Sequence, residues 1–163
     1  MPDLLDAVKL PVKHRKLVCE FLLIFSRFEF AMKKAGYAFE PCPGAVGVDR
    51  KTFAEDVKKS LTEKLRTPQA RERLNPLLTR PPMKQLLEGR TLKWKEVSAF
   101  EGKTIDAKFL LDSAYRVRNN LFHGGKWPPE PARDEELLRA ALALIEICLE
   151  VHDGVAKGYF SVI

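Results

Sequence analysis

Arg118, Asn119 and His123 stand within six consecutive positions and combine a permanently charged planar cation, an amide and an imidazole. An imidazole takes up and releases a proton near neutral pH, with an ordinary pKa of about 6.5. The guanidinium offers a rigid fork of donors that matches the oxygens of a phosphate. A cation for growing phosphoryl charge, a group that moves protons and an amide that orients either are the parts that phosphodiester chemistry asks for. Arg116, Asn120 and Lys126 flank these residues with two more cations and a second amide.

The element that positions them is a helix. Ala107, Leu110, Ala114, Val117 and Leu121 recur at three- and four-residue spacing, which predicts one helix over residues 104–122, and Gly124-Gly125 supplies its end. His123 is expected at the last turn. At about 100° per residue, Arg118 and His123 are roughly 140° apart on such a helix, so they converge only across a groove. Leu111, Tyr115 and Phe122 share the stripe of Arg118, while Asp112, Arg116 and Asn119 share the stripe of His123. A plainer use of the same residues exists, because cations and capping polars are usual at the negative end of a helix dipole.

The string Arg-Asn-x-x-x-His at a helix end, followed by Gly-Gly-Lys, resembles the Arg-x4-His signature of the HEPN superfamily, the higher eukaryote and prokaryote nucleotide-binding domains. The segment from Phe21 to Tyr37 is similar to the opening helix of a prokaryotic branch, and the segment from Asp134 suits the closing element of the bundle. The resemblance implies an all-α fold, an antiparallel helical bundle of about four to six helices spanning the whole chain as one domain. It implies a homodimer in which two motifs meet, and a metal-independent endoribonuclease that cleaves RNA by 2′-hydroxyl attack. Arg118, His123 and Asn119 would then be catalytic, Arg116, Asn120 and Lys126 would hold RNA, and Tyr115 and Glu29 would support the site. The alternative within the same fold is a non-catalytic module that dimerises and binds nucleotide or RNA. A neutralising antitoxin or another defence-system protein is the further partner that the resemblance allows. In related toxins a tyrosine stands two residues after the histidine. Gly125 occupies that place here, so regulation through it is not expected.

Composition narrows the remaining classes. The chain has 163 residues, enough to bury a core as one domain, and a net charge of +6 that permits an anionic partner such as RNA. Three histidines and three cysteines are present, yet none falls at a short ligand spacing such as Cys-x2-Cys or His-x3-His, so no metal site is expected. Cys19, Cys42 and Cys148 are read as small core hydrophobes in a reducing cytoplasm. No Gly-rich phosphate loop or serine elbow occurs, and no cofactor is expected. Neither a secretory leader nor a membrane span is expected, because no apolar run approaches about 18 residues.

Along the chain, Val12 to Gly36 reads as a long helix ended by Gly36, and Glu29 shares a face with Leu22, Phe25 and Met32. A buried carboxylate there needs a partner, either an ordinary ion pair or the cation or imidazole of the motif. After Pro41-Cys42-Pro43-Gly44, Asp49 caps a helix to about Leu65, and Thr67-Pro68 restarts one. Leu74–Leu78 and Met83–Leu87 read as short apolar pieces divided by Pro76 and Pro81-Pro82. Trp94 reads as a core anchor, with a rim aromatic for base stacking as the alternative. Trp127 opens a proline-rich turn placed near the motif. Asp134 caps a last helix, almost wholly apolar from Leu137 to Val151, which must be covered by the bundle on all sides or by a second subunit on one.

Overall fold

In a computed structural model that describes residues 11–102, 106–122 and 130–161, the chain is an all-α bundle of six helices with two small antiparallel ribbons. His123, Lys126 and Trp127 lie outside the described residues, as do Thr104 and the Gly124-Gly125 stop.

Helix α1, Val12–Met32, follows Pro11 and turns Leu17, Phe21, Phe25, Phe28, Ala31 and Met32 inward at helical spacing. Its α-geometry ends four residues before the expected Gly36. A π turn, Lys33–Tyr37, carries the chain on, and Gly36 at φ +99° reverses it so that Tyr37 enters the core. Strands β1, Ala38–Phe39, and β2, Gly47–Val48, pair across the proline-rich turn. Helix α2, Arg50–Lys64, starts where Asp49 accepts hydrogen bonds from the amides of Lys51 and Thr52 at 3.1 and 3.0 Å.

The expected break at Pro76 does not occur. Helix α3, Pro68–Thr79, runs through Pro76 because burial of Leu74, Leu77 and Leu78 outweighs one missing hydrogen bond near the helix end. Met83–Leu87 belongs instead to a hairpin, β3 Lys84–Glu88 and β4 Thr91–Lys95, joined by the two-residue turn Gly89-Arg90. Trp94 sits half-buried on this hairpin and is not part of the core, contrary to the core-anchor expectation.

Helix α4, Ala107–Phe122, starts behind Asp106, whose carboxylate accepts from the Lys108 amide at 2.9 Å. It buries Leu110, Leu111, Ala114, Tyr115 and Val117, so the stripe of Leu111 and Tyr115 faces the chain's own core and not a second subunit. Helix α5, Pro131–Val151, begins three residues before Asp134, which reaches back to accept from the Glu130 amide at 3.2 Å. The bundle itself covers α5: α1, α2, α3, α4 and α6 all pack on it. Its narrow polar stripe is tied outward, Glu146 to Arg73 of α3 and Glu150 to Lys64 of α2 at 2.6 Å.

Helix α6, Asp153–Phe160, was not expected from the apolar pattern. His152 breaks the helical path, and its Nδ1 accepts from the Val155 amide at 3.1 Å, capping the new helix. Gly158 lets α6 lie against α1, since a Cβ there would stand 3.1 Å from the Ala31 carbonyl oxygen. Arg27 of α1 then holds the far end, donating from Nε to the Tyr159 carbonyl at 2.8 Å and from Nη2 to the Ser161 carbonyl. Of the cysteines, only Cys148 is a core residue; Cys19 and Cys42 are exposed, against expectation, because Cys19 lies on the outward stripe of α1 and Cys42 in the proline-rich turn. Among the described residues no helix is long and apolar enough to cross a membrane.

Candidate functional site

Tyr115 is the hinge of the site. Its ring packs edge-on against Phe25 of α1, with centroids 4.9 Å apart, and on its face lies the guanidinium of Arg50, 4.4 Å from the ring centre. Arg50 is the first residue of α2, so the Asp49 cap fixes the point from which this cation leaves the backbone. Asp112, one turn before Tyr115 on α4, anchors it with an Nη1 to Oδ1 distance of 3.1 Å. Lys108 holds the other oxygen of Asp112 at 2.5 Å. A carboxylate clamped by two cations leaves a positive surplus at this corner.

Arg118 stands one turn beyond Tyr115 and meets Glu29 of α1, with Nη2 3.9 Å from Oε2. That separation is beyond hydrogen-bonding reach, so the pair is coulombic and loose. Arg118 Nη1 also donates to the side-chain oxygen of Asn119 at 3.0 Å. Both members are partly shielded from water, their side chains 33% and 22% exposed, which strengthens the attraction above that of a surface pair. Glu29 therefore has the partner that its apolar surroundings demanded, and the partner is the motif arginine.

The hydroxyl of Tyr115 is buried beside the Glu29 carboxylate. Burial pushes its pKa up, and the Glu29 carboxylate adds to the rise, while Arg50 and Arg118 pull it back. A phenol held protonated beside a carboxylate is a donor toward Glu29 and is unsuited to act as a base.

The other expected site residues go elsewhere. Arg116 is about 200° from Arg118 around the helix, and its guanidinium lies 6.0 Å from the Phe109 ring centre. Burial lowers its pKa, and its Nη1 has no hydrogen-bond partner among the described residues. Asn120 donates to the Met83 carbonyl oxygen at 3.0 Å, so its amide fastens the start of the hairpin to α4. Glu29, Tyr115, Arg118 and Asn119 come together, then, and Arg116 and Asn120 do not join them. Arg50 was missed from the sequence. The signal was present, since an arginine directly after a helix cap is fixed at its root, but which element the cap faces is a tertiary fact.

Among the described residues no three His, Cys, Asp or Glu side chains converge as a metal site. A groove of about 280 Å³ between α2, α3 and α5, lined by Lys64, Gln69, Arg73 and Glu150, contains none of the cluster. Comparison with protein-family models, with curated proteins and with solved structures finds no match to this chain.

Proposed function

We propose that the protein is a metal-independent endoribonuclease of HEPN type, acting as a homodimer with its site at the end of α4. The observation that carries this is the setting of Arg118, loosely paired with Glu29 at 3.9 Å beside Tyr115, with Arg50 on the other side of that ring. Two guanidiniums bracket Tyr115, Arg50 from the first turn of α2 and Arg118 from the last half of α4, so an incoming phosphate meets preorganised positive charge.

In the reaction, a base takes the proton of the ribose 2′-hydroxyl as the 2′-oxygen bonds to phosphorus. The bond from phosphorus to the 5′-oxygen breaks, and an acid protonates that leaving oxygen. The products are a 2′,3′-cyclic phosphate and a 5′-hydroxyl. His123 takes the proton-transfer roles, one copy as base and its mate in the second subunit as acid, while Arg118 and Arg50 neutralise the phosphoryl oxygens. Asn119 orients Arg118. Glu29 keeps the guanidinium aimed while RNA is absent and yields it to phosphate, a stronger and bidentate partner. The surface open to a second copy is the outward stripe of α1, where Leu23 is 74% and Phe30 36% exposed on the helix that also carries Glu29.

The test pairs binding with turnover. His123→Ala is expected to lower cleavage by about 10² to 10⁴ while leaving RNA affinity near wild type. Arg118→Lys is expected to keep affinity in part without restoring cleavage, because an ammonium cannot reproduce the fork. If wild type and His123→Ala leave varied RNAs equally intact after long incubation, the ribonuclease proposal fails and the binding module stands.

A further inference from the structure

We propose that the β3–β4 hairpin is the surface that receives the phosphate backbone of single-stranded RNA and leads it to the end of α4. This rests on the ribonuclease proposal for its ligand, and on separate observations for its place and chemistry.

The pairing register sorts the hairpin into two faces. Lys84 is opposite Lys95, Leu86 opposite Lys93 and Glu88 opposite Thr91, while Gln85 with Trp94 and Leu87 with Leu92 fall on the reverse side. One face thus carries a lysine ladder of three, Lys84, Lys93 and Lys95, beside Leu86, Glu88 and Thr91. Glu88 pairs with Lys93 at 2.5 Å, but among the described residues neither Lys84 nor Lys95 has an acidic partner. Like charges directly opposite each other weaken a ribbon, and a two-stranded ribbon has little stability to spare. A polyanion laid along this exposed face would neutralise the repulsion within the pair.

The hairpin segment is basic. Between Arg80 and Glu96 there are five cations, Arg80, Lys84, Arg90, Lys93 and Lys95, against two carboxylates, Glu88 and Glu96, a surplus of three in a chain whose whole surplus is +6. The location is equally specific, because Asn120, two residues from Arg118, fastens the start of β3 through the Met83 carbonyl. Asn120 and Arg118 lie on different sides of α4 but only about 3 Å apart along its axis, so the hairpin and the motif arginine flank the same part of that helix. Phosphates on the lysine ladder and the scissile phosphate at Arg118 then belong to one continuous chain.

The probe is a fluorescein-labelled oligoribonucleotide with every ribose 2′-O-methylated, which lacks the attacking hydroxyl and reports binding without cleavage. Fluorescence anisotropy is measured across a salt series for wild type, for the triple substitution Lys84→Gln, Lys93→Gln, Lys95→Gln, and for a control with Lys58→Gln and Lys59→Gln on α2. For a single strand each phosphate contact contributes about −0.7 to the slope of log affinity against log salt, so the triple variant should be shallower by about 2 and the control unchanged. Lys84→Glu separates fold from function: it places opposite charges across the ribbon, so the thermal midpoint should hold or rise while RNA affinity drops. A triple variant with wild-type affinity and slope, in a protein that still cleaves RNA, overturns the hairpin proposal and leaves the nuclease intact; the lysines then serve only to keep the sheet edge from pairing with other strands. Reduced binding by the variants with no cleavage by any form supports the hairpin and overturns the nuclease. Wild type that ignores the oligonucleotide, including one that instead sediments with anionic phospholipid vesicles, overturns both.

Discussion

Arg50 and Arg118 do different work around one ring, and single substitutions separate them. Arg50 is stacked on Tyr115 and hydrogen-bonded to Asp112, so its charge is delivered from a rigid root. Under the proposed mechanism Arg50→Gln should cost about tenfold or more in kcat/KM for RNA, the usual worth of a charge-assisted hydrogen bond, and Arg50→Lys should recover part of it. An unchanged kcat/KM in Arg50→Gln, measured with a fluorogenic oligoribonucleotide, would remove Arg50 from the site. A second prediction concerns folding alone. Ser113 is fully buried on α4 and its hydroxyl has no hydrogen-bond partner among the described residues. Ser113→Ala deletes an unsatisfied polar group and raises helix propensity, so urea unfolding should show a gain of about 1 kcal/mol.

At the scale of elements, caps decide where α2 and α6 begin, the Asp49 carboxylate for α2 and the His152 ring nitrogen for α6. The hydrogen bonds from Thr52, side chain first and amide second, hold the Asp49 carboxyl below the usual carboxylate range. Its folded pKa is depressed, so the cap's contribution is fully present above the unfolded value of about 3.9 and is lost as pH falls through the folded one. Asp49→Ala should therefore unfold at lower urea than wild type at neutral pH, and the gap between the two should close in acid; a gap that stays constant down to strongly acid pH would contradict the cap. Because Arg50 is the next residue, loosening this cap should also lower activity if Arg50 serves the site. The three tyrosines tie elements together at the opposite end of the pH scale. Burial, with the Asp56 hydrogen bond and charge, pushes Tyr37 up to about 12, and burial also raises Tyr115 and Tyr159. The folded chain retains protons that the unfolded chain releases above about 10, so stability falls as pH rises from about 10 toward 12. Phenolate absorbance should appear together with loss of helical circular dichroism, whereas tyrosines that ionise near pH 10 in a still-helical protein would contradict their burial.

At the scale of the whole molecule, α5 is covered by its own bundle and the stripe of Leu111 and Tyr115 is internal. A homodimer that joins two sites must then use another face, and the outward stripe of α1 carries exposed Leu23 and Phe30 beside Glu29. Light scattering at micromolar concentration is expected to give twice the chain mass, and Leu23→Glu to give a folded monomer with little cleavage. A wild-type monomer that cleaves RNA at full rate would overturn the two-subunit site. Cleavage is further expected to persist in excess EDTA, and activity that needs added Mg²⁺ would overturn the acid-base mechanism.

Helix content was legible in the residues because apolar spacing is local: Leu17, Phe21, Phe25 and Phe28 announce α1, and Asp49 followed by Phe53, Val57 and Leu61 announces α2. The hairpin was not legible, because Lys84 to Lys95 shows no clean alternation and most of its side chains face water. Pro76 misled for a related reason, since the cost of one lost hydrogen bond is local while the burial of Leu74, Leu77 and Leu78 that offsets it is not. The same division runs through the site. Sequence alone put Arg118, Asn119 and Tyr115 on one helix and marked Glu29 as a carboxylate needing a partner. Only the packing of α1, α2 and α4 could pair Glu29 with Arg118, stack Arg50 on Tyr115, and turn Arg116 and Asn120 to other tasks, because those choices depend on which helix faces meet.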